Sequence, residues 1–300
     1  MSAILNHICK GDKMKTIAFL NNKGGVGKTA SATTVSHMAA TLYDKRILHI
    51  DLDPQGNSSA FYSEDKIEEI LAGLIQGKPV GMFSKSVEDL LIDSELDIRE
   101  TIRHTQYKNL DIIPSFLTLS EVEERLKADI RTPQQFRLLN HLKNIEDEYD
   151  YCILDCSPSV SIININGLVA ADDVFIPLKC DAWSAMGMCI ARNLVQTVQT
   201  YNPRLKIGGL FFAQWEGRKN VSNAVYGLLM ECFPDLLLPY TISKSKLVEE
   251  MTLEQIPLLV YDSKTKPSKV TLDYMKLTEY IISNSIERAA LKKEISTQFK

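Results

Sequence analysis

Apolar runs recur along the chain at Thr16 to Leu20, Ile47 to Ile50, Leu110 to Ile113, Tyr151 to Leu154, Val174 to Leu178, Ile207 to Phe212 and Leu236 to Leu238. Most are continuous rather than alternating, the pattern expected of strands covered on both faces. Between them lie stretches with helical spacing: Thr29 to Tyr43, Leu117 to Ala128, Pro133 to Glu146, Ala182 to Thr200 and Asn220 to Cys232. This βαβ rhythm predicts an α/β fold, a doubly wound, mostly parallel sheet with helices on both faces. Residues 61–109 are less regular and carry Gly73, Gly77, Pro79 and Gly81, so an inserted lobe is expected there within a single domain spanning 14–300. Residues 1–13 read as an N-terminal extension, too short for a helix-turn-helix domain.

Composition narrows the class. The 300 residues are 45% hydrophobic and 24% charged, enough to bury a full core. No stretch approaches the roughly 18 uninterrupted apolar residues of a membrane span, and the first thirteen residues hold no apolar signal region. The cysteines Cys9, Cys152, Cys156, Cys180, Cys189 and Cys232 are widely spaced, which suits reduced thiols. A cytoplasmic protein is therefore expected. The net charge of −4 excludes binding of nucleic acid by bulk positive charge, so any DNA contact has to come from a local patch.

The chemistry begins at Gly24-Gly25-Val26-Gly27-Lys28-Thr29, placed after the first strand and at the start of a helix. Glycines let the backbone curl so that successive N–H groups face phosphate. Lys28 can reach the β and γ phosphates, the Thr29 hydroxyl can ligate Mg²⁺, and the helix N-terminus adds its dipole. A glycine-rich turn that binds nothing is the competing reading, but strand, loop and helix stand in the order a phosphate site requires. The general G-x-x-x-x-G-K-[ST] template wants glycine at position 22, where this chain has Asn22, preceding Lys23. A second constellation, His49-Ile50-Asp51-Leu52-Asp53-Pro54, ends the second strand. Strand alternation puts Asp51 and Asp53 on one face at the carboxyl edge, where open α/β sheets bind ligands. A third, Tyr151-Cys152-Ile153-Leu154-Asp155, ends an apolar strand in a carboxylate suited to holding Mg²⁺ through water. Cys152 and Cys156 have the spacing of a metal pair, yet one lies inside the strand and no further Cys or His pair accompanies them, so buried thiols are expected and no zinc.

The Lys23-Gly24-Gly25-Val26-Gly27-Lys28-Thr29 register resembles the deviant phosphate loop of the ParA/MinD superfamily, and the chain looks like its ParA/Soj type. The likeness extends through His49 to Asn57, Asn166 to Pro177 and Asn202 to Leu205, and covers about residues 14–285. It implies ATP as the nucleotide, and nucleotide contacts at Lys23, Gly24, Gly25, Val26, Gly27, Lys28, Thr29 and Ala30. It implies that Lys23 reaches across a dimer interface to the partner's nucleotide, that Asp53 positions the hydrolytic water, and that Asp51 supports hydrated Mg²⁺ beside Thr29 and Asp155. Ala30 departs from the family, many of whose members carry a hydroxyl there; one α-phosphate contact is lost. Lys179-Cys180-Asp181 has the K-x-D look of guanine-specific GTPases, but Leu178 replaces their preceding Asn, and the match reads as coincidence.

Family members carry basic residues on two segments near the carboxyl end of the fold. Here Arg218 and Lys219 match the first, and Lys244 and Lys246 keep the basic character of the second, where Ser243 replaces the usual proline. The resemblance thus implies an ATP-dependent homodimer, nonspecific DNA binding on the nucleoid and a ParB-like centromere-binding partner in DNA partitioning. An ordinary solvated charged face is the alternative reading of those lysines. A MinD-like membrane-cycling ATPase shares the nucleotide motifs but ends in a basic amphipathic membrane helix. Tyr280 to Lys300 lacks Trp and has only Phe299, so it reads as a packing helix, and no stable membrane association is expected. An iron-protein-type reductase needs cluster-ligating cysteines, and no suitable pair is evident.

Overall fold

Eight strands form one sheet in the order β3-β4-β2-β5-β1-β6-β7-β8 among the residues described by the computed structural model, which are 13–64, 75, 85–129, 133–181, 183–217, 219–263, 266–283, 287–288 and 290–291. The strands are β1 (Lys15–Phe19), β2 (Ile47–Leu52), β3 (Arg103–His104), β4 (Leu110–Ile113), β5 (Tyr151–Cys156), β6 (Asp173–Leu178), β7 (Lys206–Trp215) and β8 (Leu237–Ser243). All pairings are parallel except the edge pair β3–β4. The fold is the doubly wound α/β sheet expected. The short antiparallel β3 was not legible, because two residues carry no period.

Residue parity divides the core. Ala18, Leu20, Leu48, Ile50, Leu52, Leu154 and Ile176 face one side, under α3 (Val87–Ile92), α4 (Leu119–Ala128), α5 (Arg137–Leu142), α6 (Ile162–Ala170), α7 (Trp183–Val198) and α8 (Asn220–Cys232). Ile17, Phe19, Ile47, Ile153, Phe175 and Phe211 face the other, under α1 (Lys28–Tyr43), α2 (Asn57–Phe61), α9 (Lys246–Leu253), α10 (Leu258–Tyr261) and α11 (Lys269–Ile282). Burial on both faces is why the strands read as unbroken apolar runs. The same parity sends Asp51, Asp53 and Asp155 to the α1 side.

Several local expectations resolve differently. Pro133 to Glu146 is broken into 3-10 turns at Gln134–Phe136 and Lys143–Ile145 around the short α5. Within the expected lobe at 61–109, residues 65–74 and 76–84 lie outside the described residues, while Val87, Leu90 and Leu91 of α3 enter the same core as α4. Residues 1–12 also lie outside them. Cys152 and Cys156 are fully buried, and burial pushes both thiols up. Near the end of the chain, Tyr280 and Ile281 are turned into the core of α11, and Arg288 bonds Asp173 at 2.6 Å while lying over the Phe175 and Tyr280 rings.

Two histidines are buried on the α1 side. His49 accepts or donates a bond to Ser36 Oγ at 2.9 Å through Nδ1, and His37 packs edge-on to Tyr107. Burial pushes His37 down to about 4 and His49 to about 3. Folded pKa values below the unfolded value mean that protons bind the unfolded chain preferentially. The stability is therefore fully present above the unfolded pKa of about 6.5 and is lost as pH falls toward the folded values. His37→Phe keeps a ring against Tyr107 and removes one of these titrations. Urea melts between pH 7 and pH 4 are expected to show a loss of stability in the parent that is smaller in His37→Phe, by about 3 kcal/mol at pH 4. Identical pH profiles for the two proteins would contradict the assignment.

Candidate nucleotide-binding site

The carboxyl ends of β1, β2 and β5 meet at the centre of the sheet, because β1 lies between β5 and β6 and β5 lies between β1 and β2. The loop from Asn21 to Gly27 leaves β1 here and enters α1. Gly25 and Gly27 have φ of 65° and 87°, the left-handed region that curls a loop tightly, and Gly27 is the residue immediately before α1. Ala30 follows on the first turn of α1, half-buried. No acidic residue occupies that first turn, so its N–H groups and dipole are open to an anion.

Lys28 is 6% exposed, and its ammonium donates to the Lys23 carbonyl at 3.2 Å. Burial pushes its pKa down, while Asp155 and Asp53 nearby pull it back up. Asp155 and Asp51 are fully buried and directly opposite each other in the β2–β5 register. Burial raises both carboxyl groups, and their mutual repulsion raises Asp51 further.

The two carboxylates differ in what holds them. Asp51 Oδ1 accepts the Asp53 N–H at 3.0 Å, and Oδ2 accepts the Ser59 N–H and hydroxyl at 2.8 and 2.7 Å. It is thus an organiser of the Asp53 to Ser59 turn. Asp155 Oδ2 accepts the Ser58 hydroxyl at 2.5 Å, and the Thr29 hydroxyl also helps hold its charge. Its Oδ1 is buried with no hydrogen-bond partner among the described residues. An orphaned carboxylate oxygen beside a threonine hydroxyl is an all-oxygen donor set, which fits a small hard cation such as Mg²⁺. Asp53 is oriented by the Gln55 N–H at 3.0 Å, and its carbonyl by the Ser115 hydroxyl at 2.7 Å.

Lys23 is not free. Its ammonium bonds Asp181 at 2.5 Å, and that cation, against the cost of partial burial, holds the Asp181 carboxyl below the ordinary range. Asp181 is therefore spent on a loop lysine, which removes the guanine-reading carboxylate from the K-x-D resemblance. Ser58, Ser59, Ser115 and Asp181 carry no site motif in the sequence; strand register brings Ser58 to Asp155 and Ser115 to the Asp53 carbonyl, and the turn after β2 brings Ser59 back to Asp51.

The basic segments meet at the carboxyl ends of β7 and β8, where Trp215 pairs with Ser243 and the Lys244 N–H donates to the Trp215 carbonyl at 3.1 Å. Lys219, Lys244 and Lys246 are exposed there. Lys219 and Lys244 share one carboxylate, Glu216. Arg218 lies outside the described residues.

The chain matches the AAA domain family over residues 14–207. It is 31% identical over 263 residues to the sporulation initiation inhibitor protein Soj of Bacillus subtilis, a match covering 87% of this chain and 97% of that protein. It is 30% identical over 282 residues to the chromosome partitioning protein ParA of Caulobacter vibrioides, covering 92% and 97%. Among solved structures, it shares its fold with a plasmid partition protein of Borrelia burgdorferi B31 bound to AMPPNP, at a TM-score of 0.70 and 24% identity over 96% of this chain and 100% of that one.

The loop geometry predicts opposite tolerances at neighbouring glycines. A Cβ on Gly27 would stand 3.1 Å from Ala213 Cβ in a left-handed backbone, whereas one on Gly24 meets nothing within 4 Å. Gly27→Ala is expected to cost about 1–2 kcal/mol of stability from the backbone alone, and Gly24→Ala much less. Thermal melts of the two variants check this; equal melting temperatures would mean that the left-handed turn before α1 is not required.

Proposed function

The chain belongs to the AAA domain family and, within it, to the Soj/ParA partitioning proteins, and from that membership we propose that it binds and hydrolyses Mg·ATP in the β1–α1 loop as a nucleotide-switched dimer that partitions DNA. The observation that carries this reading is the buried Lys28 set among Asp53 and Asp155 at the mouth of a loop with two left-handed glycines. A desolvated ammonium and a helix N-terminus together suit a polyphosphate better than any neutral ligand.

Each residue then has a task. Backbone N–H groups of residues 24–30 cradle the phosphates, and Lys28 neutralises charge on the terminal ones. Thr29 and the open oxygen of Asp155 hold Mg²⁺, which when bound supplies a Lewis acid to the phosphoryl oxygens. Asp51, with both oxygens committed, supports that site by fixing the Asp53 turn. Asp53, anchored through Gln55, orients the water that attacks the γ-phosphorus as the bond to ADP breaks.

Lys23 acts in trans. Its bond to Asp181 opens when the chain meets a second copy, and the freed ammonium completes the partner's site. Trp183, Met186 and Ile190, one turn and two turns apart on α7, are 66%, 57% and 42% exposed on the helix that follows Asp181. This apolar stripe supports pairing of two copies across the nucleotide face. The γ-phosphate contacts exist only with ATP bound, which gives the differential binding a switch requires.

The dimer holds DNA through Lys219, Lys244 and Lys246, with Arg218 a further candidate contact from the sequence. Phosphate contacts of this kind are sequence-independent and salt-sensitive, and two protomers make them useful together. Nucleoid association in the cytoplasm, and stimulation of hydrolysis by a ParB-like centromere-binding protein, complete the cycle. Tyr280 and Ile281, at the start of the segment a membrane-cycling ATPase would turn to a bilayer, are buried in the α11 core, which favours this reading; residues 292–300 of that segment lie outside the described residues.

Mixing two inactive variants tests the trans assignment. Lys23→Ala and Asp53→Ala should each be hydrolytically dead, yet every heterodimer contains one site with an intact Asp53 and a donated Lys23. A statistical one-to-one mixture should then recover about a quarter of parental ATPase sites. No recovered turnover, in a mixture shown by light scattering to contain heterodimers, would place Lys23 in its own chain's site.

A further inference from the structure

A third lysine stands at the phosphate loop. Lys179 follows β6, the strand next to β1, and two residues on Asp181 pairs with Lys23 of the Asn21 to Gly27 segment. The Asn21 side chain donates to the Pro177 carbonyl at 2.7 Å, and Gln214 Nε2 donates to the Gly25 carbonyl at 3.3 Å. Ser184 Oγ accepts the Lys179 N–H at 3.1 Å, fixing the backbone from which the side chain leaves. A Cβ on Gly25 would lie 3.4 Å from Lys179 Nζ, so the ammonium rests against the loop's left-handed turn.

The charges around this loop are unequally satisfied. Lys23 has Asp181, and Lys28 has the field of Asp53 and Asp155. Lys179 is half-buried and forms no ion pair among the described residues, although an acidic residue stands only two positions away. An ammonium lying against an anion cradle, with its local carboxylate diverted to another lysine, is poised for an anionic ligand.

We propose that Lys179 is a nucleotide-binding residue that contacts the polyphosphate of its own chain's ATP from the β6 side of the loop. The inference rests on the nucleotide reading above and adds to it. Lys179 and Lys28 then embrace the phosphates from two elements within one chain, while Asp181 reserves Lys23 for the partner. The Lys-x-Asp tripeptide thereby has two separate duties: its lysine faces the nucleotide, and its aspartate holds the lysine that leaves.

Calorimetry with Mg·ATP on the full chain, comparing the parent, Lys179→Gln, Lys179→Arg and Lys28→Ala, tests this. Lys179→Gln should weaken binding about tenfold or more, as expected on losing a charge-assisted hydrogen bond, and Lys179→Arg should restore part of it. Without nucleotide, Lys179→Gln should melt at or above the parental temperature, since an unpaired ammonium is removed, while the rise in melting temperature produced by Mg·ATP should shrink. Parental affinity in Lys179→Gln alongside lost binding in Lys28→Ala would overturn the inference and leave the nucleotide reading standing. Parental affinity in Lys28→Ala would overturn both. A lowered nucleotide-free melting temperature with an unchanged nucleotide-induced rise would make Lys179 a structural residue and also overturn the inference.

Discussion

Everything at the carboxyl edge of this sheet depends on keeping several charges out of water within one small volume. Lys28, Asp51, Asp53 and Asp155 are all buried. Removing such groups from water costs several kcal/mol each unless partners compensate. Compensation here is partial by design of the strand register. Asp51 is saturated by Ser59 and the Asp53 N–H, whereas among the described residues Asp155 keeps an oxygen with no partner and Lys28 has only a carbonyl within bonding distance. The unmet demand of one cation and one carboxylate oxygen is what the proposed ligand, an anion with its own divalent metal, would meet.

The fold supplies that juxtaposition through two simple facts. Parallel pairing places the ends of β1, β2 and β5 side by side, and residue parity sends their carboxylates to the face covered by α1. The buried pair of apolar layers then fixes strand register, since a slip of one residue would invert every face. Around this rigid centre the connecting loops carry the adjustable chemistry. The Asp53 to Ser59 turn is tied to Asp51 and Ser115, and the loop after β6 carries Lys179 and Asp181 to the phosphate loop.

Much of the architecture was legible because its physics is local. Continuous apolar runs such as Ile47 to Ile50 mark strands buried on both faces, and the Gly24 to Thr29 spacing marks a curled loop at a helix start. Asp155 was readable as a carboxylate ending an apolar strand. The partners that decide the carboxylates' roles were not: Ser58 reaches Asp155 through the β2–β5 pairing, 97 positions away, and Ser59 reaches Asp51 through a non-repeating turn, neither of which has a periodic signature. Asp181 shows the same limit. In sequence its tripeptide looked like a fragment of another enzyme's base-recognition motif, and only the distance to Lys23, 158 positions earlier, reveals its use. Likewise the two basic segments near residues 219 and 244 looked sparse until β7–β8 pairing brought them to one edge.

The central claim is that this charge cluster is a Mg·ATP site. Isothermal titration of the nucleotide-free protein with ATP, with and without Mg²⁺, tests it most directly when Asp155→Asn is measured beside the parent. Asparagine keeps the shape but loses the charge that would hold the metal. The account predicts that Mg²⁺ strengthens ATP binding to the parent and that this gain largely disappears in Asp155→Asn, while metal-free ATP binding persists through Lys28 and the loop. An equal Mg²⁺ gain in both proteins, or no ATP binding by the parent, would contradict it.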